Sequence, residues 1–263
     1  MTAIPFNSVP EETGDDDRDI LRSFLRWHRD GRLADEYPRL PGLLRRMSGP
    51  ELATVGRLLA RLSAEEVARR HQDVPIVRIA VAGHGTLAML VPALAVQAAR
   101  HGLLADVHTG AFDGYIFELS DPASALYAHE PDLTLCVLDA QTVFDEVPVP
   151  WRPEDVERAF AAKRDLVEGL IRTFTAHSRG TLVLNTLPLP RRYPAQLIDH
   201  ASRARLGAIW REGNAALLRL AEHRGVVVVD LDPLVAEGVP VLDPRLSVYA
   251  KAHLSPELLA AYA

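Results

Sequence analysis

RIAVAGHGTLAMLVPALAVQAARHGLLADVHTG, residues 78–110, decides the fold. RIAVAG (78–83) is a short apolar run that ends in glycine. TLAMLVPALAVQAARHG (86–102) reads as a helix closed by Gly102, and LLADVHTG (103–110) as a second strand. Apolar strands joined through a helix indicate a parallel sheet, because only a crossover connection returns the chain in the same direction. The alternation continues with a strand at PDLTLCVLDA (131–140) and a long amphipathic helix at 152–177. A fourth strand follows at GTLVLNTLPLP (180–190), then a helix over 195–223 and a fifth strand at GVVVVDLDPL (225–234). The expected fold is α/β, a flavodoxin-like three-layer α/β/α sandwich around a five-stranded parallel sheet, occupying residues 75–263.

Upstream, Ile20, Leu21, Phe24, Leu25 and Trp27 recur at helical spacing, as do Leu52, Val55, Leu58, Leu59 and Leu62. Ser63 and Glu66 form a capping-box pattern, and prolines 38, 41 and 50 divide the region. Residues 18–74 are therefore read as a helical extension, and the acidic residues 1–17 as a flexible N-terminus. The chain has 263 residues, 48% of them hydrophobic, which is enough for a full core and excludes wholesale disorder. The net charge is −6, and no basic block exceeds two residues, so a nucleic-acid partner is not expected. Apolar runs are too short for a membrane span, and the acidic N-terminus lacks the order of a signal peptide, so the expected location is cytoplasmic. Cys136 is the single cysteine, inside an apolar strand, and reads as core. The histidines are scattered without ligand spacing, so no metal site is expected. No phosphate-cradling glycine loop is present.

In sheets of this kind ligands bind at the carboxyl ends of the strands. The residues there are Gly83–Thr86, Gly110–Tyr115, Asp139–Thr142, Asn185–Arg192 and Asp230–Asp232. VVVVDLDPL imitates the Asp-x-Asp nucleophile of haloacid-dehalogenase phosphatases, but only about thirty residues follow Asp232. The simpler reading is that Asp230 ends a strand and Asp232 caps the next helix ahead of Pro233.

Four stretches carry a resemblance to a known fold family: RIAVAGHGTLAMLVPAL, the segment from GLLADVHTGAFDGY to PDLTLCVLDA, LVLNTLPLP, and DPRLSVYAKAHLSPELLAAY. They resemble the SGNH (GDSL-type) hydrolases, and more closely the SGNH-like N-terminal domain of FkbH-type proteins of polyketide biosynthesis. In the latter a phosphatase-like domain follows, and the family loads a glyceryl unit from a phosphoglycerate onto an acyl carrier protein. The resemblance implies an acyl or glyceryl transferase or hydrolase acting on a carrier-linked or small ester or thioester. It implies an acyl carrier protein or small acyl substrate as partner, together with a phosphatase-like domain. A phosphopantetheine arm would enter only as part of the substrate, with no cofactor.

Carried over residue by residue, the family pattern is degraded. The nucleophilic serine position is Gly85. Thr86 is one residue along, either a hydroxyl nucleophile or a helix cap. The oxyanion glycine is Gly110, and the oxyanion asparagine is replaced by Gln141, an amide one methylene longer. The triad aspartate position is Ala250, with Asp243 at the wrong spacing to replace it, whereas His253 in His-Leu-Ser-Pro-Glu fits the base. His84, Gly85, Asp139, Asn185, Arg191 and Arg192 are candidate binding residues, His84 being either a ligand group or an exposed turn histidine. Asn214 reads as structural. Two functions follow. In one, His253 acts as general base without a serine intermediate, and Gly110 and Gln141 stabilise charge. In the other, the domain is a non-catalytic docking module for a carrier protein or partner enzyme. Arg191, Arg192, Arg203, Arg205 and Arg211 would then form the basic face, or else they are a solvated helix surface.

Overall fold

The computed structural model describes residues 13–263. The elements in chain order are helices α1 (Thr13–Arg29), α2 (Leu40–Leu44), α3 (Gly49–Leu59) and α4 (Ala64–Arg70), then β1 (Ile76–Gly83), α5 (Leu90–Arg100) and β2 (Leu104–Thr109). Next come α6 (Tyr115–Ser120), α7 (Ala125–Ala128), β3 (Leu133–Val137), α8 (Gln141–Phe144), α9 (Pro153–His177) and β4 (Thr181–Asn185). The chain finishes with α10 (His200–Arg219), β5 (Val226–Val229), α11 (Asp232–Ala236), α12 (Pro244–Tyr249) and α13 (Pro256–Tyr262). The five strands form one sheet in the order β2-β1-β3-β4-β5. The pairs β1–β3, β3–β4 and β4–β5 are parallel, with Ala82 opposite Cys136 and Leu184 opposite Val228. The fold is α/β, a five-stranded parallel sheet flanked by helices, as a three-layer sandwich requires.

The chain divides into two compact units, one ending at Ile76 and taking in Pro92–Ala105, the other formed by Val77–Val91 and Asp106–Ala263. In the first, Phe24, Leu40, Leu44, Val55, Val67 and Ala99 are among the residues of a common core. Arg100 donates from Nε to the Leu44 carbonyl at 3.0 Å, and the Tyr37 hydroxyl donates to the Leu103 carbonyl at 2.9 Å. The helical extension expected over 18–74 thus shares its core with part of α5. Of the flexible terminus expected over 1–17, residues 1–12 lie outside the described residues. Thr13–Asp17 are already helical, and buried Asp17 accepts the Ser48 N–H at 3.2 Å.

The second unit builds its core on one face of α9. Val156, Phe160, Val167, Leu170, Ile171 and Phe174, the residues read as an apolar stripe, are all buried. Cys136 is buried in β3, and burial pushes its thiol up to about 12, so it stays protonated and inert. Beyond the ladder, two asparagines hold the segments that leave the strands. Asn185 accepts the Leu138 N–H at 3.1 Å and donates to the Leu138 and Thr186 carbonyls. Asn214, from α10, accepts the Leu187 N–H at 2.9 Å and donates to the Leu187 carbonyl at 3.0 Å. Asp232 does not cap α11 but is its first residue; the N-cap is Leu231, without a side-chain bond, and Asp230 Oδ1 accepts from the Thr186 hydroxyl and from the Asp232 N–H. The helix expected over 195–223 is shorter than its pattern, with α10 starting at His200 under an Asp199 cap. No helix of the described residues is long and apolar enough to cross a membrane.

Asn214→Ala leaves the buried Leu187 N–H without its acceptor. The expected cost is about 1–3 kcal/mol in denaturant unfolding, with the m-value unchanged.

Candidate functional site

The site starts where β1 stops. The His84 N–H still bonds the Val137 carbonyl at 3.0 Å, and Gly85 then turns the chain at φ +79°. Thr86 is consequently spent on the C-terminal segment. Its N–H donates to the Lys251 carbonyl at 2.9 Å and its hydroxyl to the Ala250 carbonyl at 2.6 Å. The segment is shaped from both sides. Asp243 caps α12 through the Arg245 and Leu246 N–H groups, and Ser255 caps α13 through the Leu258 N–H. His253 is held in the short stretch between these helices.

That stretch brings the two histidines together. The His84 and His253 rings stack with centroids 5.0 Å apart and planes at 19°. His84 is 8% exposed, and its Nδ1 lies 2.8 Å from Asp139 Oδ2. The other Asp139 oxygen accepts the Gln141 N–H at 2.7 Å, and Thr142 donates its hydroxyl to the Asp139 carbonyl, so the carboxylate is fixed at both ends. On its far side His84 Nε2 lies 3.5 Å from Asp145 Oδ2 and 3.9 Å from Asp113 Oδ1. Burial disfavours the charged His84 ring, but the hydrogen bond and charge of Asp139, with the charges of Asp113 and Asp145, outweigh it and raise its pKa. His253 is shifted the opposite way. Burial lowers its pKa; Asp139 and Asp145 oppose that, while His84 and Arg192 reinforce it. Its Nδ1 is buried without a hydrogen-bond partner. The residue at the position of a triad aspartate is Ala250, whose carbonyl is occupied by Thr86.

Around the two rings runs a polar network. Gln141 donates its amide to Asp145, and its oxygen accepts from Arg192 at 2.6 Å and from the Tyr193 hydroxyl at 2.7 Å. The Arg192 guanidinium lies over the Tyr193 ring, 4.8 Å from its centroid. Beneath the network, buried Lys163 of α9 donates to Glu146 at 2.5 Å and to the Tyr115 hydroxyl at 3.4 Å. One buried ammonium thus ties the segment carrying Asp113 and the segment carrying Asp145 to the same helix.

Several candidates are placed differently from the family pattern. The Gly110 N–H donates to the Val81 carbonyl at 2.8 Å, so it belongs to the sheet ladder and does not face an oxyanion. Gln141 is engaged at both ends of its amide. Thr86 points away from either imidazole, to a carbonyl. Asn185 is committed to backbone. Arg192 is tied to Gln141 and Tyr193, Arg205 is paired with Glu154 and Glu157, and Arg203 and Arg211 donate to backbone carbonyls. Arg191 is exposed. Gly85, His84, Asp139 and His253 do converge. A side chain at Gly85 would meet the Lys251 carbonyl at 2.7 Å and His253 Cδ2 at 2.8 Å. The serine position is therefore closed by the imidazole itself. Asp113 and Asp145 were not read from the sequence. Asp145 lies one helical turn beyond Gln141, and Asp113 in the turn after the second strand, so position alone marked both. Among the described residues no group of three or more His, Cys, Asp or Glu is arranged to hold a metal ion. A cavity of about 150 Å³ opens beside Gly85, lined by Val81, Leu87, Gly110 and Phe112 among others.

No protein-family model matches the sequence, and no curated protein matches it. Among solved structures, the chain is similar to the N-terminal part of the protein BF1531 from Bacteroides fragilis, described as containing a phosphatase domain and complexed with Mg. The TM-score is 0.62 at 14% identity, over 80% of this chain and 53% of that one. This chain thus spans about half the length of that structure, and the likeness is one of fold. A lipase/acylhydrolase from Enterococcus faecalis aligns with a TM-score of 0.41 at 18% identity, over 70% of this chain and 92% of that one.

Gly85→Ser, which restores the missing hydroxyl by name, is expected to destabilise the chain by about 2 kcal/mol or more. A non-glycine residue there is strained, and its Cβ meets a backbone carbonyl. Thermal unfolding measures the loss. Mass spectrometry after incubation with p-nitrophenyl acetate is expected to show no acetyl adduct at Ser.

Proposed function

We propose that the His84–His253 pair catalyses hydrolysis or acyl transfer on a small ester or thioester, without a covalent serine intermediate. The observation that supports this most is that the surroundings shift the proton affinities of two stacked imidazoles in opposite directions. A pair whose environments drive their pKa values apart is the arrangement that acid–base catalysis needs. His253, whose neutral form burial favours, takes the proton of a water at Nε2. The water oxygen attacks the carbonyl carbon, and the bond to the leaving oxygen or sulfur breaks. His84, whose charged form Asp139 favours, gives its Nε2 proton to that leaving atom. A hydroxyl or amine acceptor in place of water turns the same steps into transfer.

The stack also couples the two proton movements. Two imidazolium rings 5.0 Å apart would repel by about 3 kcal/mol at an effective dielectric constant of about 20. Protonation of His253 is therefore favoured when His84 gives up its own proton. In this scheme Gln141 positions Asp145, and Gly85 leaves room for the second ring. The resemblance in sequence extends the substrate to a carrier-linked acyl or glyceryl thioester. The docking-module alternative draws little support from Arg192, which is internally occupied.

The test is turnover of p-nitrophenyl acetate and of an acyl N-acetylcysteamine thioester. His253→Ala and His84→Gln are each expected to lower kcat/KM by about 10²–10⁴-fold. Unchanged turnover in both variants would remove the reading. The pH profile gives the sign. The base limb falls as His253 gains its proton, below the ordinary histidine value of about 6.5, because its pKa is lowered. The acid limb falls as His84 loses its proton, above that value, because its pKa is raised. Asp139→Asn is expected to move the alkaline limb to lower pH.

A further inference from the structure

The segment following β2, AFDGYIFELSDPASALYA (111–128), has no Lys, Arg or His. It forms a groove of about 570 Å³ whose lining includes Phe112, Asp113, Phe117, Glu118 and Asp121. Phe112 is 60% exposed and Phe117 80%, an unusual state for two phenylalanines so close in sequence. Neither is needed by the core, which on α6 takes Tyr115 and Leu119 instead. The carboxylates are also short of partners. Among the described residues neither Glu118 nor Asp121 forms an ion pair, and Glu118 Oε2 is buried with no hydrogen-bond donor. The charge of Glu118 is thus uncompensated by an ion pair, and a cation brought alongside it from outside would offset it.

We propose that this groove docks a basic amphipathic segment of a partner protein, with apolar side chains on Phe112 and Phe117 and Arg or Lys side chains on Asp113, Glu118 and Asp121. Charge complementarity selects the partner, since three carboxylates with no cation in their own segment repel an acidic protein and an anionic lipid surface. The two exposed rings select for apolar and guanidinium groups, which can stack on an aromatic face. This surface does not depend on the proposed acyl chemistry. The two are joined only at Asp113, which lines the groove and lies 3.9 Å from His84 Nε2.

The experiment uses the full chain and two short fluorescein-labelled peptides. One has arginine, leucine and phenylalanine at helical spacing, and its twin has glutamate for every arginine. Fluorescence anisotropy is expected to show micromolar binding of the arginine peptide, weakened by added salt, and no binding of the glutamate twin. Phe117→Ser is expected to weaken binding by about tenfold, and Asp121→Asn by a few-fold. Both residues are exposed, and Asn keeps the turn bond to the Ala123 N–H, so circular dichroism should be unchanged. Leu25→Ser, an exposed apolar position elsewhere, serves as the control and is expected to bind as the parent does. Equal binding of the two peptides, or unchanged affinity in Phe117→Ser and Asp121→Asn, would overturn the proposal. So would Phe117-dependent binding to phosphatidylcholine vesicles with no peptide binding.

Discussion

Two hydrogen bonds from one threonine tie the C-terminal segment to the turn that carries His84. Thr86 holds the carbonyls of Ala250 and Lys251 with its hydroxyl and N–H, and so fixes the C-terminal segment against the turn after β1. Buried Ala252 and Leu254, and the Ser255 N–H on the Val241 carbonyl, anchor the same stretch on either side of His253. The imidazole is stacked on His84, whose charge lowers the proton affinity of His253. The geometry also depends on Gly85, since any side chain there would take the space of the second ring. Residue 85 being glycine and residue 86 being threonine are thus two parts of one requirement. The first makes room for the ring, and the second holds its backbone in place.

The α/β architecture was legible because its signals are strong and local. Apolar strands such as VVVV at β5 and the α9 stripe have only one reading each at their lengths. The boundaries were less legible where backbone geometry competes with pattern. The apolar spacing over 195–223 favours one helix, yet Asp199 accepts the Ser202 N–H and starts α10 at His200. Short helices such as α6, α8 and α12 carry too few residues for periodicity to reveal. Asp232 was read as a cap from its place before Pro233, but it is already the first residue of α11, and its N–H bonds the Asp230 carboxylate.

The site was legible in its members more than in their roles. His84, Gly85 and Asp139 follow from position, because strand ends in a parallel sheet converge on one edge, whereas His253 was found through the resemblance of its His-Leu-Ser-Pro-Glu stretch. Roles assigned by correspondence to a serine triad fit less well. Gly110 and Gln141 occupy the expected places, but their donors serve the sheet and Asp145. A motif specifies where a residue is, whereas its hydrogen-bond partners decide what it can donate. Those partners come from distant segments. Arg192 is 51 residues from Gln141, and Lys163 is 48 from Tyr115. No local pattern reports such pairings.

The degraded triad then takes a different meaning. A serine hydrolase that had merely lost its nucleophile would keep the space for it, together with an imidazole oriented by a carboxylate. Here the space is filled by His253, and the carboxylate is on the other histidine. Asp139 orients His84, not His253, and favours its charged form, while burial disfavours the charged form of His253. The carboxylate that orients an imidazole in this site thus stands just after β3, and not in the C-terminal segment beside His253. Glycine at residue 85 and the seat of the His253 ring are linked, because a side chain there would clash with the imidazole, and His84 and Asp139 are linked, because a buried imidazolium needs its counterion.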